Sequence, residues 1–281
     1  MPTDVFLLVL GAAFVHAAWN AVMKADTDRL SLIRIMCLTQ AALSLCLLPF
    51  VPVPPLEAWP YLLGSAVVNV AYMLFLTQAY RSGDLSHVYP LARGIAPLLV
   101  GIVSVVFLGE VLSPLSQGAI LLIVLGLSSL SLTRGLEGVR DLRMVGYGLG
   151  TGALIATYTL LDGLGARRSG GAAAYVVWVS LVGPLLIVAA VQWLQRGLRN
   201  PGTRRTRIAG VITGVTSYGA AWVIIWAMTQ APIPLVSGLR ETSIIFAVAI
   251  GVLFLRERLN IVRLMSIATT LAGTALLKFS R

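Results

Sequence analysis

Apolar runs of about twenty residues, separated by short polar breaks, recur along the whole chain. A run of that length crosses a ~30 Å hydrocarbon core as an α-helix. The runs fall at about 4–23, 30–50, 58–80, 86–108, 115–133, 144–163, 172–194, 208–229, 235–255 and 261–279. Ten such spans leave only short connections, so no soluble domain of any size fits between them. Composition agrees: 58% of the 281 residues are hydrophobic and 11% are charged, where a soluble chain carries ~25% charged residues. The pattern predicts an all-α membrane protein with ten transmembrane helices.

Charge then fixes how the spans are threaded. Before the first run stands only Asp4, and Lys24, Arg29 and Arg34 follow it. A secretory signal has the reverse order, so this run is expected to remain a span. Of the 21 Lys and Arg residues, Arg93 and Arg240 lie inside spans. Four (Arg167, Arg168, Lys278 and Arg281) lie on the side that holds both termini of a ten-span chain. The other fifteen, from Lys24 to Arg263, lie in the odd-numbered loops. Cytoplasmic loops carry the excess of Lys and Arg, which predicts a multi-pass protein of the cell (inner) membrane with both termini outside the cytoplasm. The net charge of +10 is thus accounted for by topology, and no nucleic-acid partner is expected. Cys37 and Cys46 share the second span nine residues apart, on opposite helix faces at ~100° per residue, and are expected to stay unpaired.

The chain also repeats itself. FLGE at 107–110 aligns with FLRE at 254–257, and the same shift of 147 lays Arg93 on Arg240. PLARGIAPLLVGIVSVVFLGE in the fourth span then faces SGLRETSIIFAVAIGVLFLRE in the ninth. Each half holds five spans, and an odd number forces the halves to be inverted across the membrane. The loops test this: VPVPPLEAW, between spans two and three, has no Lys or Arg, whereas its mate QRGLRNPGTRRTR has five Arg. The division is placed at residues 1–135 and 136–281. Inverted repeats build secondary transporters, with the site near the midplane between the halves.

On these features, two inverted five-helix halves whose fourth helices end in Gly-Glu and Arg-Glu, the chain resembles the drug/metabolite transporter (DMT) superfamily, EamA-type, over essentially its whole length. HAAWNAVMK at 16–24 and LRETSIIFA at 239–247 further resemble a subgroup associated with phosphonate utilisation. The resemblance implies that the fourth and ninth helices line a central cavity, where sugar-phosphate translocators of the superfamily use basic residues. Many EamA-type members carry basic residues between spans two and three and have cytoplasmic termini. This sequence departs from that habit, and the orientation above follows its own charges.

Ionisable residues within spans are costly and mark pathways or buried pairs. Here they are His16, Arg93, Asp162, Arg240 and Glu241. Arg93 and Arg240, at repeat-equivalent positions, are read as a two-guanidinium clamp for a carboxylate, phosphate or phosphonate. The competing reading is a structural ion pair between Arg93 and Glu241. Glu241 lies ~100° round a regular helix from Arg240, so the two are not expected to share a face. Glu241 is either a proton carrier or an arginine's permanent partner. His16, Trp19 and Asn20 occupy one face of the first helix, and His16 is a second candidate for the coupling proton. Asn69 with Tyr72, Tyr218 with Trp222, and Tyr89 and Tyr158 are candidate cavity walls or, equally, packing.

Other features read as structural. Asp162 is expected to pair at the surface with Arg167 and Arg168, and Glu110 and Glu257 to cap or pair locally. Pro90 and Pro97 predict a kinked fourth helix, and the glycines of GYGLGTG (146–152) predict close helix packing. No GxxxxGK[ST] motif, metal-ligand set or carboxylate dyad appears, so no ATP-driven machine, enzyme, cofactor or metal is expected. The predicted function is secondary active transport of a small polar, anionic or zwitterionic metabolite by alternating access. The alternative is a flippase for a lipid-linked headgroup. The expected partners are that solute and the lipid bilayer, with the chain a monomer or homodimer.

Overall fold

The structure is a computed structural model. It describes all residues except 27, 83–84, 131–141, 195–201, 256–259 and 280–281, and only the backbone at 24–25, 76–82, 85–91, 142–144, 194 and 254–255. The described residues form α1 (Thr3–Ala25), α2 (Arg29–Leu47), α3 (Trp59–Ser82), α4 (Leu85–Val106), α5 (Pro114–Ser129) and α6 (Leu142–Arg168). There follow α7 (Ala172–Leu194), α8 (Arg204–Gln230), α9 (Ile233–Arg240), α10 (Ser243–Leu255) and α11 (Ile261–Phe279). Helices α9 and α10 together fill the ninth predicted span, so the ten spans are built from eleven helices.

Helix starts follow the local sequence. Asp28, Ser113 and Thr203 each accept a backbone N–H three residues on, satisfying a donor that α2, α5 and α8 would otherwise leave free. Pro114 at the first position of α5 has no N–H to lose. Large apolar side chains such as Leu7, Leu45, Leu125, Ile212 and Leu271 point outward, as a lipid-facing surface requires. Among the described residues seven segments are long and apolar enough to cross a membrane. Helix α6 is not one of them. It packs against α3, α4, α7, α8 and α9, and contact with several helices calls for small residues that allow close approach.

The packing carries the repeat. Exchanging each span with the one five places along turns the α1–α8 contact into α3–α6, and α2–α8 into α3–α7. It turns α4–α6 into the contact of α1 with the ninth span, and leaves α2–α7 and α5–α11 as they are. The α5–α11 seam is held by closeness rather than bulk. A Cβ on Gly273 would lie 2.8 Å from the Ala119 carbonyl and one on Gly126 2.9 Å from that of Ser266, and the Ser266 hydroxyl donates to the Gly126 carbonyl. The packing read from GYGLGTG is present at Gly152, where a Cβ would stand 2.8 Å from the Ala92 carbonyl.

Helix α4 runs unbroken through Pro90 and Pro97, and the chain is interrupted in the ninth span. Cys37 is buried and Cys46 exposed, both free thiols, as their spacing implied.

Candidate functional site

The ninth span begins as α9, whose eight residues are all buried. At Glu241 and Thr242 it turns, and the backbone changes to bonds three residues apart. Glu241 N–H donates to Gly238 O (3.2 Å), Thr242 to Leu239 (3.1 Å), Ile244 to Glu241 (3.1 Å) and Ile245 to Thr242 (2.9 Å). The Thr242 hydroxyl also donates to Leu239 O at 2.7 Å. This tightened turn keeps its polar groups satisfied where no water can do so. It also brings neighbours together. Arg240 Nε and Nη2 both lie 3.3 Å from Glu241 Oε1, so the expectation that these residues keep to separate faces is wrong, because the regular helix stops between them.

Arg93 reaches the same carboxylate from α4. Its Nη1 donates to Glu241 Oε1 at 3.1 Å and stands 3.0 Å from Oε2, the second a charge contact without hydrogen-bond geometry. Each arginine also touches the first helix of its own half. Arg93 Nη2 is 2.9 Å from His16 Nε2 on α1, and Arg240 Nη2 donates to Thr159 Oγ1 on α6 at 3.4 Å. A guanidinium has no acceptor, so His16 Nε2 accepts and the imidazole proton sits on Nδ1. Ser243 Oγ accepts a further bond from Arg93 Nη2 at 3.3 Å. The cluster is closed: Arg93 is 5% exposed, Arg240 8% and Glu241 0%. The Arg93–Glu241 ion pair read from the sequence is present, and both guanidiniums converge on that carboxylate.

Other predicted residues gather around it or fall elsewhere. Trp19 packs edge-on against His16, with ring centroids 4.9 Å apart, and its buried indole N–H has no partner among the described residues. The Asn20 amide donates to His16 O at 2.7 Å, and the Asn69 amide to Ser65 O at 3.2 Å, each one turn back on its own helix. Tyr72 and Tyr158 pair across the α3–α6 seam at 5.9 Å, next to Thr159. Tyr218 and Trp222 do not join the site. They sit in a second cluster with Trp59, Tyr175 and Trp178, where the Ser44 hydroxyl donates to Tyr218 Oη at 3.5 Å. The side chain of Tyr89 and the whole of Glu257 lie outside the described residues.

Asp162 corrects its sequence reading. It does not pair with Arg167 or Arg168; Ser65 Oγ and Tyr175 Oη donate to its Oδ1 at 2.5 and 3.1 Å. Arg168 stacks over the Tyr61 ring at 4.6 Å. Arg167 binds Glu110 at 2.6 Å, so Glu110 pairs across the halves rather than locally. Arg167 also donates to Met228 O (2.8 Å) and Ala231 O (3.0 Å) at the end of α8. Thr159, Ser243, Ser65 and Tyr175 are members that sequence reasoning missed. The available signal was position alone: Ser243 lies one turn after Arg240, and Thr159 one turn before Asp162.

Comparison with known proteins completes the picture. The sequence profile described as "EamA-like transporter family" matches residues 5–132 and again 142–279. The match is to the family as a whole and gives no support to the narrower phosphonate-associated resemblance. No curated protein matches the sequence. One solved crystal structure superimposes with a TM-score of 0.77 at 16% identity, covering 99% of this chain and 96% of that one. At that identity the likeness speaks to the fold alone.

Proposed function

Because the chain belongs to the EamA-like transporter family, we propose that it is a secondary active transporter of a small anionic or zwitterionic metabolite, bearing a carboxylate, phosphate or phosphonate. Arg93 and Arg240 are its anion-binding groups. One observation carries this reading: among the described residues two buried guanidiniums share a single carboxylate. Two guanidiniums that converge on one carboxylate present the donor geometry that binds a carboxylate or phosphate. Glu241 is then the resident counterion that an incoming anion partly displaces. The unpartnered Trp19 N–H beside His16 supplies a further donor for a ligand oxygen. Exchange between Glu241 and the substrate would loosen the Arg93–Glu241 tie between the halves, which alternating access requires. The two halves are taken to divide at 135/136, within residues left undescribed, and the gap between the two profile matches supports that division.

The flippase reading loses ground. A laterally open groove does lie between α1 and α10, lined by Phe14, Ala18, Ala21, Phe246, Ala249, Ile250 and Leu253. It occupies the face of α1 opposite His16, Trp19 and Asn20 at ~100° per residue, so it suits acyl chains and gives a headgroup no route to the arginines.

The test is uptake into proteoliposomes of an anion found by a thermal-shift screen of carboxylates, phosphates and phosphonates. Arg93→Gln and Arg240→Gln retain hydrogen bonding and lose charge. Each should lower uptake at least tenfold, about 1.4 kcal/mol of transition-state binding. Normal uptake by both stably inserted variants would refute the clamp.

A further inference from the structure

Glu241, at the break in the ninth span, and Asp162, toward the end of α6, are carboxyl groups within the described membrane helices. Glu241 meets two guanidiniums, whereas Asp162 meets none. Its bonds are the hydroxyls of Ser65 on α3 (2.5 Å) and Tyr175 on α7 (3.1 Å), both donating to Oδ1. The cations nearest along its helix are occupied, Arg167 by Glu110 and the end of α8, Arg168 by the Tyr61 ring. Arg93 and Arg240 are held by Glu241. Asp162 nevertheless faces inward. It shares a face of α6 with Tyr158 and Thr159, opposite the exposed positions Leu149, Ala153 and Thr157.

An ionised carboxylate inside a membrane protein, bonded to two neutral donors and no cation, is an expensive arrangement. A proton relieves it without moving an atom. With hydrogen on Oδ2, Oδ1 becomes the carbonyl oxygen, and its two lone pairs take the Ser65 and Tyr175 bonds. A metal cation fits poorly, because both hydroxyls aim hydrogens at the carboxyl, and a hard cation needs oxygen lone pairs.

We propose that Asp162 is a proton-binding site coupled to the arginine cluster, and that the closed arrangement is its protonated form. The coupling step runs through α6. Thr159, which Arg240 touches, is one turn before Asp162. With Asp162 neutral, Arg240 stays on Glu241. When Asp162 releases its proton to water, the new negative charge draws Arg240 away from Glu241 and loosens the tie between the halves. The groups that face Asp162 among the described residues are Ser65 on α3, Tyr175 on α7, Arg240 on α9 and Tyr158 on α6. None of them is a second carboxyl that shares the proton. The idea rests on the transport reading, but its first test does not.

Infrared difference spectra of the full chain in lipid nanodiscs, recorded through a pH titration, read the proton directly. Wild type should show the C=O band of a protonated carboxyl that vanishes at alkaline pH. The band should be lost in Asp162→Asn, kept in Glu241→Gln, shifted in Tyr175→Phe, and restored as a titrating band in Asp162→Glu. A wild type without the band, or a band that survives Asp162→Asn, overturns the site; so does a band that sodium abolishes at constant pH. For the coupling, spin labels at positions 111 and 171 in a Cys46→Ser background report the separation of the α4–α5 and α6–α7 connections. That distance should lengthen as pH rises in wild type and stay short at every pH in Asp162→Asn. A titrating band without a change in distance overturns the coupling. Uptake by the arginine variants is a separate measurement, so failure of the transport reading leaves the infrared result intact.

Discussion

Glu241 holds two buried guanidiniums on one side chain that is itself 0% exposed. Neutralising it removes the carboxylate that both buried charges share, a loss on the order of 3–5 kcal/mol. Glu241→Gln should therefore melt at markedly lower temperature, with or without anion in the buffer. Adding Arg93→Gln should recover part of the loss, because the double variant buries one guanidinium there instead of two. A Glu241→Gln protein of normal stability that has lost only its response to a pH gradient would make Glu241 the proton carrier instead. The arginines were legible in the sequence because an ionisable residue inside an apolar run is rare and costly. Thr159 and Ser243 were not. A hydroxyl in a membrane helix usually bonds its own backbone, as Thr157, Thr216, Thr269 and Thr274 do here, and nothing in the sequence separates Thr159 from them.

At the scale of elements, spans and repeat were legible because backbone in lipid must satisfy itself as helix, which imposes a run length that composition cannot hide. The break in the ninth span was not, because positions 240–242 are Arg, Glu and Thr, without the Gly or Pro that announces an interruption. Asp162 was misread for a related reason: its partners come from α3 and α7, distant in sequence, while the arginines close to it in sequence are taken by other groups. Those arginines make a second device. Arg167 ties the α4–α5 connection of the first half, through Glu110, to the last carbonyls of α8 in the second. That contact joins the two halves on the terminal side of the bundle. The Arg167 side chain is 33% exposed, so solvent screens the ion pair and its worth is ~1 kcal/mol. Arg167→Met should raise the rate at which an impermeant thiol reagent reaches a cysteine at position 69 about fivefold, the equivalent of that energy. Glu110→Gln, which keeps the hydrogen bond, should raise it less. Equal, unchanged rates in both variants would show that the contact does not restrict entry.

At the scale of the whole molecule, the packing maps onto itself when the halves are exchanged, but the charges do not, and that asymmetry is the basis for predicting an orientation. Three of the four basic residues on the terminal side are committed to contacts, Arg167 to Glu110, Arg168 to the Tyr61 ring and Lys278 to the Phe6 ring. Few positive charges are left free to hold that side at an anionic surface. The opposite side has Arg204, Arg205 and Arg207 in the first turn of α8, and the five arginines of that loop have no acidic residue near them in sequence. Charge near the ends of spans, rather than family habit, decides insertion, so we predict that both termini lie outside the cytoplasm. A C-terminal fluorescent protein that matures only in the cytoplasm should stay dark, and an alkaline phosphatase fused at the same point, which folds only outside, should be active. Moving the balance should then move the protein. Replacing Arg204, Arg205 and Arg207 with Gln while adding three lysines between spans two and three should yield a mixed population with both reporters partly active. A bright, phosphatase-inactive wild-type fusion would refute the orientation, and would place the Arg167–Glu110 contact on the cytoplasmic side.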